Sequence, residues 1–381
     1  MKMSVTIKIR ILYFLVFACQ AAWLPRLADY VMSVGINGSK MALLLSINPI
    51  MMLVVQPFYG RLSDRLGYGK TLFYSSGLAA ASFGIYYWVN DFYGILLATL
   101  LMSIFFNALM PVLDAMALNE SEKTADGSYG KLRIAGALGW SITGLILGYV
   151  IQFYGLKAIF IFSCLSMLLV FIFSRSIISY KLYNRDEEKL QVKQTISNKK
   201  FILFLFSIMI ISMAMTAIWN FYSIYLTEIG ASPSQVGFGL AFQGLCELPL
   251  FYFSGVIIMR YGLKTTFIFT LVTTLIRMLL YSYVGQPMLA LCIELLHGVS
   301  WSLFWVVCVG LTDKYIDKAY QATGQSLLYA SYFGIGAIVG NYWVSYLIEI
   351  TNLSGVFLWN AGIIAVVIVF VYLIIDRDKS V

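Results

Sequence analysis

Asp114, Arg133, Glu247, Arg277, Glu294 and His297 all stand inside long apolar stretches of a chain in which only 12% of residues are charged. A charge at the centre of a bilayer costs at least about 2.5–3.5 kcal/mol. A membrane chain keeps such residues for function or for an internal ion pair. Glu294, His297 and Trp301 fall at i, i+3 and i+7, which puts them on one face of a helix. His297 is the single histidine. Within reach of two carboxylates and an arginine it suits a proton relay or a polar substrate site. Asp114 and Arg133 belong to consecutive apolar segments and reach similar depth, and Trp140 follows Arg133 by seven residues, about two helical turns. Carboxylate, guanidinium and indole together offer bidentate hydrogen bonds and a flat CH-binding surface, the needs of a polyol ring. Arg26 and Asp29, after Trp23 and Pro25, read as an interfacial pair. Asn220, Gln56 and Gln243 are cavity hydrogen-bonders that spacing alone does not place. A membrane hydrolase would need a nucleophile with a base, or metal ligands. One histidine and no acid–x–x–His pattern beyond Glu294/His297 argue against that, so no catalytic residues, no metal and no cofactor are expected.

The elements that must hold these groups are transmembrane helices. Hydrophobic residues make up 60% of 381 positions and mean hydropathy is +0.84, whereas a soluble domain carries roughly 25% charged residues. Twelve apolar segments follow one another, at about 9–31, 39–60, 70–89, 92–118, 131–153, 157–178, 201–228, 234–258, 264–284, 287–312, 321–348 and 355–375. Residues 179–200 form one long polar stretch. It divides the chain into an N-terminal six-helix bundle, 1–178, and a C-terminal one, 201–381. The remaining loops are short and leave no soluble output element of the kind a receptor needs. Cys19, Cys164, Cys246, Cys292 and Cys308 sit in apolar runs, so no disulfide framework is expected. The first run has no small-residue cleavage site after a short core and reads as a retained helix. Of 26 Lys and Arg, three lie well inside apolar runs (Arg26, Arg133, Arg277) and two in loops of one side (Lys40, Lys157). The rest cluster on the other side. The positive-inside rule makes that side and both termini cytoplasmic. The net charge of +8 is therefore topological, and no nucleic acid is expected as a partner.

The halves repeat. Residues 254–267, SGVIIMRYGLKTTF, align without gaps on residues 59–72, YGRLSDRLGYGKTL, matching Gly255 to Gly60, Arg260 to Arg65 and Gly262 to Gly67. Internal duplication of this kind points to a secondary transporter. The stretch Gly60-Arg61-Leu62-Ser63-Asp64-Arg65-Leu66-Gly67-Tyr68-Gly69-Lys70 resembles the cytoplasmic signature of the major facilitator superfamily, losing only one basic position, to Gly69. Gly60 is expected to allow close helix packing, Asp64 and Arg65 to latch the cytoplasmic side, and Gly67 and Gly69 to supply positive backbone dihedrals. Residues 53–67 and 129–140 resemble the lactose permease group. Residues 246–255, 294–305 and 322–336 resemble permeases grouped with phenylpropionate and nucleoside symporters. The first resemblance implies that Asp114 and Arg133 bind sugar hydroxyls and that Trp140 stacks on the ring. Pro111 and Gly130 match its pattern, although the loop is one residue longer and the acid one methylene shorter. Arg277 and His297 keep the twenty-residue separation of that group's coupling arginine and histidine. Its coupling glutamate falls here on Ser300, its helix 10 lysine on Glu294 and a helix 8 asparagine on Glu247. A transported proton therefore needs a different carrier, Glu247 or Glu294.

These observations imply an all-α integral membrane protein with the twelve-helix major facilitator fold, working by alternating access as a monomer in the plasma (inner) membrane. Its expected partners are the lipid bilayer, a small-molecule substrate and a proton. Proton-coupled symport of a sugar or oligosaccharide is the first reading. A nucleoside or aromatic-acid symporter is the alternative, since Arg133 and Arg277 could each hold a carboxylate. A drug exporter is disfavoured because 136–148 has glycines but no proline.

Overall fold

The computed structural model describes residues 4–121, 129–180, 198–316 and 321–374, without the side chains of residues 64, 118, 121, 129–131 and 321–323. In lipid each backbone N–H and C=O must be satisfied within the protein, which an apolar segment achieves by becoming helical. The spanning helices, in chain order, are α1 Val5–Ser33, α2 Gly38–Leu66, α3 Tyr68–Ile85, α4 Phe92–Ala117, α5 Tyr129–Tyr154, α6 Ala158–Ser174, α7 Lys199–Glu228, α8 Pro233–Tyr261, α9 Leu263–Tyr283, α10 Pro287–Tyr315, α11 Gly324–Ile350 and α12 Leu353–Ile374. Eleven of these are long and apolar enough to cross a membrane. The exception, α3, is diluted by glycines and by Thr71, Ser75, Ser76 and Ser82. Thr71, Ser76 and Ser82 return their hydroxyl protons to backbone carbonyls three or four residues earlier. The helix thus stays compatible with an apolar setting despite its composition.

Chain contacts divide the protein into two compact units, Met1–Asp186 with Ser232–Ala241, and Glu187–Ala231 with Phe242–Val381. The expected bundles, 1–178 and 201–381, differ from these in the first turns of α8; most of the expected linker, 181–197, lies outside the described residues. In the first unit α1 is the central rod, packed on α5 and α6, with Ile9, Leu12, Tyr13, Val16 and Cys19 wholly buried. Its contact with α5 is backbone-close: a Cβ at Gly139 would lie 2.3 Å from the Phe14 carbonyl oxygen. In the second unit α7 has that place against α11 and α12. A Cβ at Gly340 would meet the Thr216 hydroxyl at 2.2 Å. Asn198 starts α7 by accepting from the Lys200 and Phe201 amides, and Asp91 starts α4 in the same way through Tyr93 and Gly94.

The duplicated turns keep their geometry. Gly67 and Gly262 end α2 and α8 with φ of +95° and +75°, and each opens the next helix. Two expectations for the first turn need correction. Gly69 has no positive φ; it lies inside α3, where a Cβ would sit 2.0 Å from the Ile177 carbonyl oxygen. Its smallness serves close packing against the end of the sixth helix. Gly60 is exposed, and a Cβ there meets no described atom within 4 Å, as at its counterpart Gly255. Arg65 is exposed as well, and the Asp64 side chain lies outside the described residues.

These backbone angles separate the glycines experimentally. Gly67→Ala and Gly262→Ala force a side chain into a region open essentially to glycine alone, costing about 1–3 kcal/mol each. Gly60→Ala, in open helical surroundings, is expected to be neutral or to add a few tenths of a kcal/mol. Melting temperatures of the three variants in one detergent check this. A loss at Gly60 as large as at Gly67 would contradict it.

Candidate functional site

The second unit gathers most of the intramembrane charge. Arg277 on α9 is fully buried, and so is Glu294 on α10. They form an ion pair at 2.5 Å through Nη2 and Oε2. The Tyr281 hydroxyl donates to the other Glu294 oxygen and accepts from Arg277 Nε at 3.2 Å. Arg277 Nη1 donates to Ser300 Oγ at 3.1 Å. His297 is buried, with Nε2 3.1 Å from Glu247 Oε1 on α8 and Nδ1 3.8 Å from Glu294 Oε2. The Glu247 side chain alone among the four is partly open, at 21% exposure. The four residues singled out by membrane cost therefore form one contiguous set, graded from a sealed ion pair to a half-open carboxylate.

Irregular helix geometry makes this possible. α10 is α-helical over Pro287–Ile293, narrows to a 3-10 turn at Glu294–Leu296, widens to a π-helix at Gly298–Leu303, and resumes at Phe304–Tyr315. Through this irregular stretch Glu294, His297 and Trp301 remain neighbours: His297 lies 3.8 Å from Glu294, and both His297 and Trp301 lie against the Trp219 ring. Wide turns rotate the side chains that follow them, and they often occur where function needs an unusual direction. Glu294 faces Arg277 and Tyr281, His297 turns to α8, and Trp301 meets Trp219 of α7 with ring centroids 4.6 Å apart. Gly298 sets the helix spacing: a Cβ there would lie 2.2 Å from the Cys246 carbonyl oxygen, next to Glu247.

Beside the charges lies an aromatic cluster that sequence reasoning missed. α11 carries a second π-helix, Ala330–Gly336. It brings Tyr332 and Phe333 against Trp301 and Trp305, with Trp305 and Phe333 centroids 5.1 Å apart. Trp219 donates its indole N–H to the Tyr332 hydroxyl at 3.1 Å. Trp219, Trp301, Trp305 and Phe333 remain partly exposed around the buried Tyr332. The spacing of Trp301 with Trp305, Tyr329 with Phe333 and Arg277 with Tyr281, each at i and i+4, was the legible signal. On α8, Gln243 lies one turn before Glu247. It is 4% exposed, and its Nε2 has no hydrogen-bond partner among the described residues. Asn220 is committed to Asn341 at 2.8 Å.

The first unit holds the other predicted set. The Tyr13 hydroxyl donates to Asp114 Oδ1 at 2.6 Å. The Arg133 guanidinium lies 5.9 Å from the Phe17 ring centroid. Tyr13 and Phe17 are one turn apart on α1, so Asp114 and Arg133 address the same stretch of that helix. Trp140 is half-buried two turns further along α5. Tyr13 carries no sequence signal that separates it from other aromatics of α1. Arg26 and Asp29 pair at 3.0 Å, and Arg26 also donates to the Pro233 carbonyl at 3.2 Å.

The model of the MFS_1 like family matches residues 6–359. The chain is 25% identical over 337 residues to the uncharacterized transporter YwbF of Bacillus subtilis (strain 168), covering 88% of this chain and 83% of the relative. It is 22% identical over 371 residues to the maltose permease of Geobacillus stearothermophilus, covering 97% and 94%. The crystal structure of the nucleoside transporter NupG superposes with a TM-score of 0.88 at 16% identity, covering 99% of this chain and all of that one, a likeness of fold.

The graded burial predicts unequal damage. Glu294→Gln leaves Arg277 as an uncompensated buried charge and is expected to cost about 3–5 kcal/mol. Glu247→Gln, at a half-open position, should cost far less. Thermal unfolding of both variants tests the difference; equal melting temperatures would refute the sealed-pair geometry.

Proposed function

The chain belongs to the MFS_1 like family, and on that basis we propose that it is a proton-coupled secondary transporter of a small solute carrying a polar ring. The observation that carries the coupling is the charge balance around His297. Arg277 and Glu294 cancel. With His297 neutral, Glu247 leaves the cluster with one net negative charge in an apolar surrounding. One proton, shared between Glu247 and His297, makes the set neutral. A net charge is expensive to seal from water, whereas a neutral, hydrogen-bonded set is not. Proton loading thus favours the closed state of the alternating cycle. Glu294, sealed between Arg277 and Tyr281, is the counter-charge of Arg277 and is closed to exchange with water. Glu247, the member open enough to exchange with water, is the carrier.

The aromatic cluster favours a nucleoside as the solute. Indole and phenyl faces suit a flat base. The unpaired Gln243 amide offers a donor, and Glu247 an acceptor, on one face of α8. A sugar or oligosaccharide is the second reading. It rests on Asp114 with its Tyr13 donor, on Arg133 and Trp140, and on the relationship to a maltose permease. In either case Lys and Arg placement supports cytoplasmic termini, and the reading is of a monomer in the plasma membrane. Asp64, Arg65 and Gly67 serve the gate and not the ligand.

A ligand that binds only the folded protein raises its melting temperature by mass action. Nucleosides are expected to do so, and Trp301→Ala to weaken their binding more than tenfold. Stabilisation by maltose alone would move the assignment to the sugar, and Asp114→Asn should then weaken binding more than tenfold while the melting temperature holds. Glu247→Gln is expected to abolish uphill accumulation and its dependence on external pH while keeping solute exchange. Full accumulation in that variant would remove Glu247 from the mechanism. Asp64→Asn should slow turnover with equilibrium binding unchanged; weakened binding would place the turn in the cavity.

A further inference from the structure

A groove of about 230 Å³ runs between α3 and α6 in the first unit. Its floor is Phe83 and Phe160, both buried, with Phe160 stacked on Tyr86 at 3.9 Å. Its walls are Tyr87, Ile161 and Leu165, exposed by 53%, 46% and 55%. Gly84 leaves it open along its length, since a Cβ there meets no described atom within 4 Å. The lining holds no charged side chain. At its mouth stands Lys157, in the turn after Gly155 that begins α6. Its ammonium donates to the Tyr87 carbonyl at 3.1 Å and lies 5.8 Å from the centroid of the Tyr87 ring. An ammonium has three donors, and this bond uses one. From Lys157 to Leu165 the helix descends about 12 Å, into the depth of acyl chains.

We propose that this groove is a binding site for an anionic phospholipid, its phosphate against Lys157 and one acyl chain lying over Gly84 between Tyr87 and Leu165. A membrane chain meets no other abundant molecule that joins a negative head to a long apolar tail. The charge at the mouth and the apolar slot below match both ends of it. Lys157 is one of two lysines on its side of the sequence, the other being Lys40, which lies over the Phe92 ring. The tether to Tyr87 holds the Lys157 ammonium at the groove, whereas a free lysine would wander.

Native mass spectrometry of the full chain, with phosphatidylglycerol and phosphatidylcholine of equal acyl length, tests the site. Wild type is expected to retain phosphatidylglycerol about fivefold more, the preference one near-surface lysine supplies. Lys157→Gln should equalise the two lipids. Gly84→Leu should reduce retention of both by filling the slot. Lys40→Gln should behave as wild type, and melting temperatures establish that each variant is folded. An undiminished preference in folded Lys157→Gln, undiminished retention in folded Gly84→Leu, or an equal effect of Lys40→Gln would overturn the proposal.

Discussion

Burial of the Arg277–Glu294 pair is the constraint around which the second unit is arranged. Taking two ions out of water costs several kcal/mol each unless geometry and further hydrogen bonds return it. The structure meets that demand with the Tyr281 hydroxyl, which serves both partners, and with Ser300 on the remaining guanidinium nitrogen. Those partners come from α9 and α10, so the two helices must hold register to within a fraction of an ångström. Tyr281 is itself held by packing, in contact with Tyr225 and Phe357. The aromatic layer thus fixes the donor that fixes the charge.

The same demand accounts for the broken regularity of α10. Glu294, His297 and Trp301 between them address three helices: α9 through the ion pair, α8 through Glu247, and α7 through Trp219, which both His297 and Trp301 contact. The 3-10 turn followed by the π turn distributes them, at the cost of weaker backbone geometry. Gly298 sits in the middle of that irregular stretch. Without a side chain it lets the α8 backbone come close enough for His297 and Glu247 to touch.

The two units use one duplicated scaffold for different chemistry. Both place a central helix, α1 or α7, in close backbone contact with neighbours through glycines, and both end their second helix on a glycine of positive φ. Among the described residues the second unit joins Arg277, Glu294, His297 and Glu247 beside an aromatic layer, and the first sets Asp114 with Tyr13 and Arg133 against Phe17.

Transmembrane character and the twelve helices were determined by the sequence itself, because hydrocarbon permits a long apolar segment one fate. The duplicated turns were equally legible, since Gly67 and Gly262 mark backbone angles other residues avoid. Charge cost picked out Glu247, Arg277, Glu294 and His297 before any geometry was known, and three-dimensional proximity then joined them. Tertiary structure alone decided the rest. Regular periodicity cannot report a π turn, so the widening of α10 at Gly298–Leu303 was not readable. Nor was the gathering of Trp219, Trp305, Tyr332 and Phe333, because aromatics are common throughout an apolar chain and only packing selects the few that meet. Gly69 shows the same limit: the letter signalled a backbone freedom, while the fold used the missing side chain, since the space beside it is filled by the Ile177 carbonyl.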